Sequence, residues 1–395
     1  MNTKLVGGIL LIVGTSLGAG MLGLPIAAAS LGFFGALILL VFFWALMLAG
    51  AFLILEVNLL LPANTNIISM AKKTIGIPGQ ILAWVTYLLL LYSLLCAYIA
   101  GGGGLLAHVL KFAGINLSAS TAAILFTTLF GLMVYGGIQV VDKTNRILIT
   151  LKFLTLFAVV LLLAPNISLE KLTIGQLNHL TSITAITVTC TSCGWAVLIP
   201  SLRTYFSNDI NMLRKAILIG SILPLICYIV WDAVIIGVVG INDLKSILNT
   251  KDSTGHLVEI LVLLAKKPLT VVFINAFTSI SVITSFLGVA LCLADFIADG
   301  LKIEKKGGKN VLLHLLTFVP AVIVSIVIPG LFIKALEYAG LYCIILLIFI
   351  PAWMAWCGRY HRMSTSAFTV PGGKPLLGML MGISLVLIIY VLVNL

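Results

Sequence analysis

The chain is dominated by apolar runs that are each long enough to cross a lipid bilayer. A helix needs about 20 residues to cross the hydrocarbon of a bilayer. Charged residues make up only 9% of the sequence, against about 25% in soluble domains. The two-residue alternation of membrane β-barrel strands is absent from these runs. The sequence therefore predicts an all-α integral membrane protein with about 11 transmembrane helices, at about 5–30, 33–57, 80–108, 120–140, 147–165, 182–201, 216–240, 270–297, 310–328, 331–357 and 376–394.

The basic residues are distributed unevenly among the predicted loops. With the N-terminus in the cytoplasm, the inside segments hold 15 Lys and Arg residues and the outside segments hold six. This bias satisfies the positive-inside rule, and the odd number of spans then places the C-terminus outside. We interpret the net charge of +11 as a determinant of orientation and of contact with anionic lipids, not as a nucleic-acid-binding surface.

Two of the predicted spans contain small and polar residues at mid-depth. Span 1 includes GTSLGAGMLGLP and span 6 includes TCTSCGWAVLIP. In each, a Thr-Ser-X-Gly sequence, at 15–18 and at 191–194, precedes a proline, Pro25 or Pro200. The two spans lie five apart and cross the membrane in opposite directions. Interrupted helices at matching places in two halves indicate an inverted-repeat transporter.

We therefore predict one transmembrane domain, residues 1–395, built from repeats at about 5–165 and 182–357 with an extra helix at about 376–394. Close helix packing is the alternative explanation for span 1 alone, because Gly14 and Gly18 have the GxxxG-like spacing of helix interfaces. The matching interruption in span 6 favours a binding site.

An interrupted helix offers the groups that a zwitterion needs. Its unpaired backbone groups are costly in lipid unless a ligand or cavity satisfies them. The N-terminus of a half-helix attracts a carboxylate, while free carbonyls and a half-helix C-terminus attract an ammonium group. The predicted substrate-binding residues are Thr15, Ser16, Gly18, Ala19, Gly20, Tyr98, Thr191, Ser192, Cys193, Gly194 and Trp195.

Within this set, the N–H groups near 18–20 are predicted to hold the carboxylate, and carbonyls near Thr15 and 191–192 the ammonium group. Trp195 and Tyr98 would border the substrate side chain. For Trp195, packing against the core or lipid is the alternative.

Several segments together resemble the bacterial aromatic amino acid permeases, the tyrosine and tryptophan-type transporters of the hydroxy/aromatic amino acid group. They are GTSLGAGMLGLPIAAASLGF, LEVN at 55–58, AYIAGGGGLL, ITSFLGVALCLADFIADGL and PGGKP. The resemblance implies an APC-type, LeuT-like fold with a 5+5 inverted repeat and broken helices 1 and 6. It also implies proton-coupled uptake of an aromatic amino acid at the bacterial inner membrane.

The sequence departs from this group at span 6. The group commonly has phenylalanine and histidine around the interruption, whereas this chain has Cys193, Trp195 and Ala196. Tyrosine is the favoured substrate, with tryptophan or phenylalanine as further possibilities. A sodium-coupled or a serine/threonine-type amino acid transporter is the alternative.

Charged side chains are rare inside membranes and usually functional. Glu56, Asp295 and Glu337 lie near predicted span ends and are interpreted as caps or ion pairs, while Asp232 is either a relay or part of a buried pair. In related folds a lysine of span 5 fills the gap between spans 1, 5 and 8 that otherwise holds sodium. The predicted proton-coupling residues are Lys152, Ser281, Thr284 and Ser285. A Lys152 side chain that extends to the cytoplasmic interface is the alternative.

Other functional classes lack their motifs in this sequence. No HExxH, GxSxG or GxxxxGKS motif occurs, and no charged rings or repeated filter indicate a channel. Cys190 and Cys193 form a CxxC without a nearby His or acidic residue, so no metal site is predicted. The sequence predicts a secondary transporter without a cofactor, with an aromatic amino acid, protons and the lipid bilayer as its partners.

Overall fold

The structure, a computed structural model, describes residues 3–63, 65–112, 114–248, 250, 252–265, 267–328, 330–362 and 367–395. Within these ranges the regular secondary structure is helical, without a β-strand. A helix pairs its own backbone N–H and C=O groups, which is what an apolar chain requires where no water reaches. The predicted all-α membrane architecture is confirmed.

The helices follow one another with short connections. In chain order they are α1 Thr3–Ser16, α2 Gly20–Ala27, α3 Gly32–Leu59, α4 Ile67–Thr74, α5 Ile77–Phe112, α6 Ala119–Tyr135, α7 Ile138–Leu163, α8 Leu169–Thr173, α9 Ile183–Ser192, α10 Ile199–Tyr205, α11 Ile210–Val239, α12 Ile241–Leu248, α13 Ser253–Leu264, α14 Pro268–Leu301, α15 Gly307–Val327, α16 Leu331–Ile344, α17 Ile350–Cys357 and α18 Gly373–Asn394. A π-helical turn, Ile345–Phe349, joins α16 to α17.

In the described part of the chain, nine helical segments are long and apolar enough to cross a membrane, when α9 with α10 (Ile183–Tyr205) and α16 with α17 (Leu331–His361) each count as one segment. The bent pair α1 and α2 makes a tenth. The remaining predicted span, 120–140, corresponds to α6, which has only 17 residues. Gly137, at φ +87°, separates α6 from α7. The prediction of a loop at 141–146 is therefore wrong, because α7 begins at Ile138. The first turns of α7 carry an ion pair between Arg146 and Asp142, at 2.8 Å.

Helices from distant parts of the chain pack closely around the interrupted segments. α1 packs along α11, α2 against α9, α7 along α14, and α16 along both α5 and α9. Gly340 allows the contact between α16 and α9, because a side chain there would collide with the Thr187 carbonyl oxygen. This packing places α1, α7, α9, α11 and α14 around one central region.

A buried ion pair joins the end of α3 to the segment that follows α17. The Arg359 guanidinium donates from Nε and Nη2 to the two oxygens of Glu56, both at 2.6 Å. The Val370 N–H donates to Glu56 Oε2 at 2.8 Å. Since the Glu56 side chain is 1% exposed, this pair stabilises contacts between segments that lie about 300 residues apart, 56 against 359.

We expect Glu56→Ala to lower the free energy of unfolding by about 3 kcal/mol, because it leaves the buried Arg359 charge without its partner. Asp295→Ala is the matched control, since Asp295 pairs with Lys305 at 2.5 Å but the two side chains are 46% and 51% exposed. An exposed pair contributes less than about 1 kcal/mol. Thermal unfolding of the detergent-purified variants measures the difference, and equal losses in the two variants would contradict the structural role of Glu56.

Candidate functional site

The first interruption, break 1, comprises residues 17–19 between α1 and α2, whose axes differ by 53°. The Leu17 N–H still bonds to the Val13 carbonyl at 3.0 Å, but the Gly18 N–H turns to the Ser16 carbonyl at 2.8 Å. The bond from the Met21 N–H to the Gly18 carbonyl, 3.1 Å, leads into α2. Break 1 therefore presents backbone groups that the helical hydrogen-bond pattern does not use.

The second interruption, break 2, comprises residues 193–194, between the end of α9 and a 3₁₀ turn that leads into α10. The Gly194 N–H bonds to the Thr191 carbonyl at 3.1 Å. Thr191 Oγ1 donates to the Leu336 carbonyl of α16 at 2.8 Å. A Cβ atom added to Gly20 would lie 3.1 Å from Ser192 Oγ, so the ends of the two breaks face each other closely.

Tyr228 of α11 connects the two breaks directly. Its hydroxyl lies 2.5 Å from the Ser16 carbonyl oxygen and 2.8 Å from the Ser192 carbonyl oxygen, and the residue is 1% exposed. A hydroxyl carries one donor hydrogen, so the two carbonyls share it. Sequence reasoning missed Tyr228. The available signal was the one tyrosine of a mostly apolar predicted span, four residues before Asp232.

Lys152 of α7 reaches break 1 from another side. Its ammonium nitrogen donates to the Leu17 carbonyl at 2.5 Å and to Thr284 Oγ1 of α14 at 3.2 Å. The residue is 2% exposed, so the side chain is buried against the break and does not extend to the end of its helix. One ammonium group therefore joins α7, α14 and a carbonyl that break 1 leaves free.

Ser285 of α14 also contacts break 1. Its hydroxyl accepts from the Ala19 N–H at 2.8 Å and donates to the Ser281 carbonyl at 2.9 Å. Tyr98 of α5 is buried and lies close to Ser285. In the described ranges, Ser281 Oγ is buried without a hydrogen-bond partner. Of the three hydroxyl residues predicted on span 8, Thr284 contacts Lys152 and Ser285 contacts break 1, whereas Ser281 takes part through its backbone carbonyl.

The predicted site residues are not all equivalent in the structure. Those of the two breaks lie around Tyr228 and Ser285 as described above. The side chain of Thr15 is different, because it is exposed and its hydroxyl bonds to the Leu11 carbonyl of its own helix at 2.9 Å. Cys193 and Trp195 are buried at break 2, at 4% and 3% exposure.

Of the other charged residues at membrane depth, Glu337 accepts a short hydrogen bond from Thr184 Oγ1. Asp232 is 1% exposed, and within the described residues neither of its oxygens has a hydrogen-bond partner. One prediction for Asp232 was a buried pair, and no described residue forms that pair with it.

Comparison of the sequence with known proteins shows which family it matches. Residues 1–391 match the sequence model of the tryptophan/tyrosine permease family. The chain is 32% identical to tyrosine-specific transport system 2 of Haemophilus influenzae, over 98% of this chain and 96% of that protein. It is 34% identical to tyrosine-specific transport system 1 of the same organism, over 90% and 88% of the two chains. Glutamine transporter 2 of Aliivibrio fischeri is 31% identical, over 98% and 99%.

Proposed function

This chain belongs to the tryptophan/tyrosine permease family, and on that premise we propose that it imports tyrosine by proton symport with alternating access. Tryptophan and phenylalanine are the further substrates of the same proposal. The family is one of permeases, and the apolar helices fit a multi-pass protein of the bacterial inner membrane. The chain is therefore a transport protein and not an enzyme. The proposed orientation places the N-terminus in the cytoplasm and the C-terminus outside.

The proposed substrate site lies between the two breaks. α2 begins at Gly20 and α9 ends at Ser192, so a positive helix end and a negative helix end meet there. The substrate carboxylate would bind the N–H groups of residues 18–20, and would take the place of the Ser285 hydroxyl at Ala19. The ammonium group would bind carbonyls near Thr15 and of residues 191–192. Tyr98 and Trp195 would border the aromatic ring.

The position of Lys152 is the observation that carries the proposed coupling. Its ammonium group occupies the gap between α7, α14 and break 1. A sodium ion at that place would compete with the Lys152 ammonium group for the same oxygens. The two positive charges would also lie a few ångströms apart, and their repulsion is strong in a medium of low dielectric constant. A protonated Lys152 supplies the cation itself. Loss of its proton would release break 1 from α7 and α14 and favour the opposite-facing state.

The same proposal keeps the two inverted repeats, about 5–165 and 182–357, with the extra helix at 376–394. Each repeat then opens with an interrupted helix, α1 with α2 in the first and α9 with α10 in the second.

Glutamine is a second candidate substrate, because one relative of 31% identity carries the name of a glutamine transporter. Tyrosine and glutamine have the same carboxylate and ammonium groups. The residues that border the substrate side chain therefore determine which of the two is transported.

Uptake by proteoliposomes tests substrate and coupling together. We expect labelled tyrosine to accumulate when the lumen is alkaline relative to the outside, and to accumulate equally with or without sodium. Unlabelled tryptophan, phenylalanine, glutamine and serine serve as competitors, and protein-free liposomes as the blank. Uptake that requires sodium and ignores the pH gradient would overturn the coupling, and stronger competition by glutamine than by the aromatic amino acids would overturn the substrate.

A further inference from the structure

Asp232 is a buried carboxyl group whose two oxygens bind nothing in the described structure. The residue is 1% exposed, and neither Oδ1 nor Oδ2 has a hydrogen-bond partner. An ionised carboxylate without a partner in an apolar interior costs so much free energy that such a group normally takes up a proton. The structure therefore contains an acidic group whose stable form in this conformation is neutral.

Charged and titratable groups on the surrounding helices do not change this conclusion. α11 packs against α1, α2, α3, α7, α8, α10, α12 and α13, meets α14 through the rings of Trp231 and Phe277, and reaches α9 through Tyr228. The titratable residues on these helices and at break 2 are Lys4, Glu56, Asp142, Lys143, Arg146, Lys152, Glu170, Lys171, Cys190, Cys193, Arg203, Tyr205, Asp243, Lys245, His256, Glu259, Cys292, Asp295 and Asp299, with Arg214, Lys215, Cys227 and Tyr228 on α11 itself. Across the described ranges, none of them forms an ion pair or hydrogen bond with Asp232.

Asp232 lies one helical turn from the residue that joins the two breaks. Tyr228 and Asp232 are four residues apart on α11 and so share one face, about 6 Å apart along the axis. Trp231, next to Asp232, packs against Phe277 with the ring centroids 5.0 Å apart and the ring planes tilted by 55°. In the described structure its buried Nε1–H also has no partner. Two unsatisfied polar groups thus lie on the turn of α11 that follows the bridge between the breaks.

We propose that Asp232 is a second proton-binding site, protonated and sealed from water in this conformation. In this proposal, Tyr228 follows the breaks when they rearrange, because its hydroxyl is bonded to both. The accompanying movement of α11 brings the Asp232 carboxyl group to water. The O–H proton then passes to a water molecule and the carboxylate remains, with solvent to stabilise its charge. A neutral carboxyl group costs far less to bury in the low-dielectric interior than a carboxylate does, which suits a proton carrier.

Infrared difference spectroscopy of the purified wild-type protein at neutral pH tests the protonation state without substrate or transport. We expect a carbonyl stretch of a protonated carboxylic acid that Asp232→Asn removes and that the control Asp295→Asn leaves in place. If Asp232→Asn does not fold, Asp232→Leu, apolar and of similar shape, is expected to give the same loss. A wild-type protein without this band, or a band that survives both Asp232 substitutions, would overturn the proposal.

The transport consequence rests on the proposed function and is measured separately. Asp232→Asn should still exchange internal for external tyrosine, but its steady-state accumulation should fall about tenfold per unit of pH gradient, the factor that one fewer coupled proton removes. An unchanged accumulation ratio would show that the Asp232 proton is not transported and would overturn its role as a carrier. Failure of tyrosine uptake in the wild type would instead reject the proposed function and leave the infrared result standing.

Discussion

Lys152→Ala is expected to lose concentrative uptake while it still exchanges substrate across the membrane. The wild-type ammonium group holds the Leu17 carbonyl and Thr284 Oγ1 together, and alanine removes all of these hydrogen bonds. The proposed substrate site uses other groups of breaks 1 and 2, so binding and exchange should persist. Because Lys152 is proposed to hold break 1 to α7 and α14, its removal separates the movement of the breaks from both proposed protons, that of Lys152 and that of Asp232. The accumulation ratio should therefore fall to one.

Proteoliposomes with a preset pH gradient measure this ratio, and counterflow of labelled substrate measures exchange. Lys334→Ala is the matched control, because Lys334 lies in α16 within the membrane-crossing segment but is exposed. This variant should accumulate substrate as the wild type does. A Lys152→Ala protein that still concentrates substrate against its gradient would contradict the coupling role of Lys152.

The sequence predicts the membrane helices and their interruptions because the responsible forces are local. A run of about 20 apolar residues has few alternatives to a membrane helix. Likewise, glycines with small polar residues, as at 14–20 and 191–194, weaken a helix through their own conformational preferences. The contact of Lys152 with Thr284 was predicted only through the family resemblance, since nothing in the local sequence joins residues 132 positions apart.

Other features depend on tertiary contacts that no local pattern contains. Tyr228 joins Ser16 to Ser192 only because α11 packs against α1 and also reaches the end of α9. The Thr15 side chain is exposed and bonds within its own helix, although its neighbour Ser16 is buried. Arg359 forms an ion pair with Glu56, which lies about 300 residues earlier in the chain. Each of these contacts depends on how the helices pack against one another. The hydrophobic pattern of the sequence does not determine how each helix is rotated about its own axis.

Gly18→Leu is expected to weaken substrate binding about 100-fold without preventing membrane insertion. A Cβ atom at residue 18 would lie 2.7 Å from Ser285 Oγ, and the remaining leucine atoms would enter the space beside Ala19, where the carboxylate is proposed to bind. Overpacking of this kind costs about 3 kcal/mol, which corresponds to a loss of affinity of about 100-fold. Insertion depends on the apolar length of the segment, and leucine preserves that length.

Gly14→Leu separates a binding role from a packing role for the glycines of this helix. Gly14 and Gly18 form the GxxxG-like pair, so a helix-packing interface predicts similar damage from both substitutions. A Cβ atom at residue 14 meets only Ile149 Cδ1, at the ordinary contact distance of 3.6 Å, and lies outside break 1. Equilibrium binding of labelled tyrosine to the purified variants, with size-exclusion profiles as the folding control, compares the two. We expect Gly14→Leu to bind as the wild type does, and equal losses in both variants would favour packing over a substrate site at break 1.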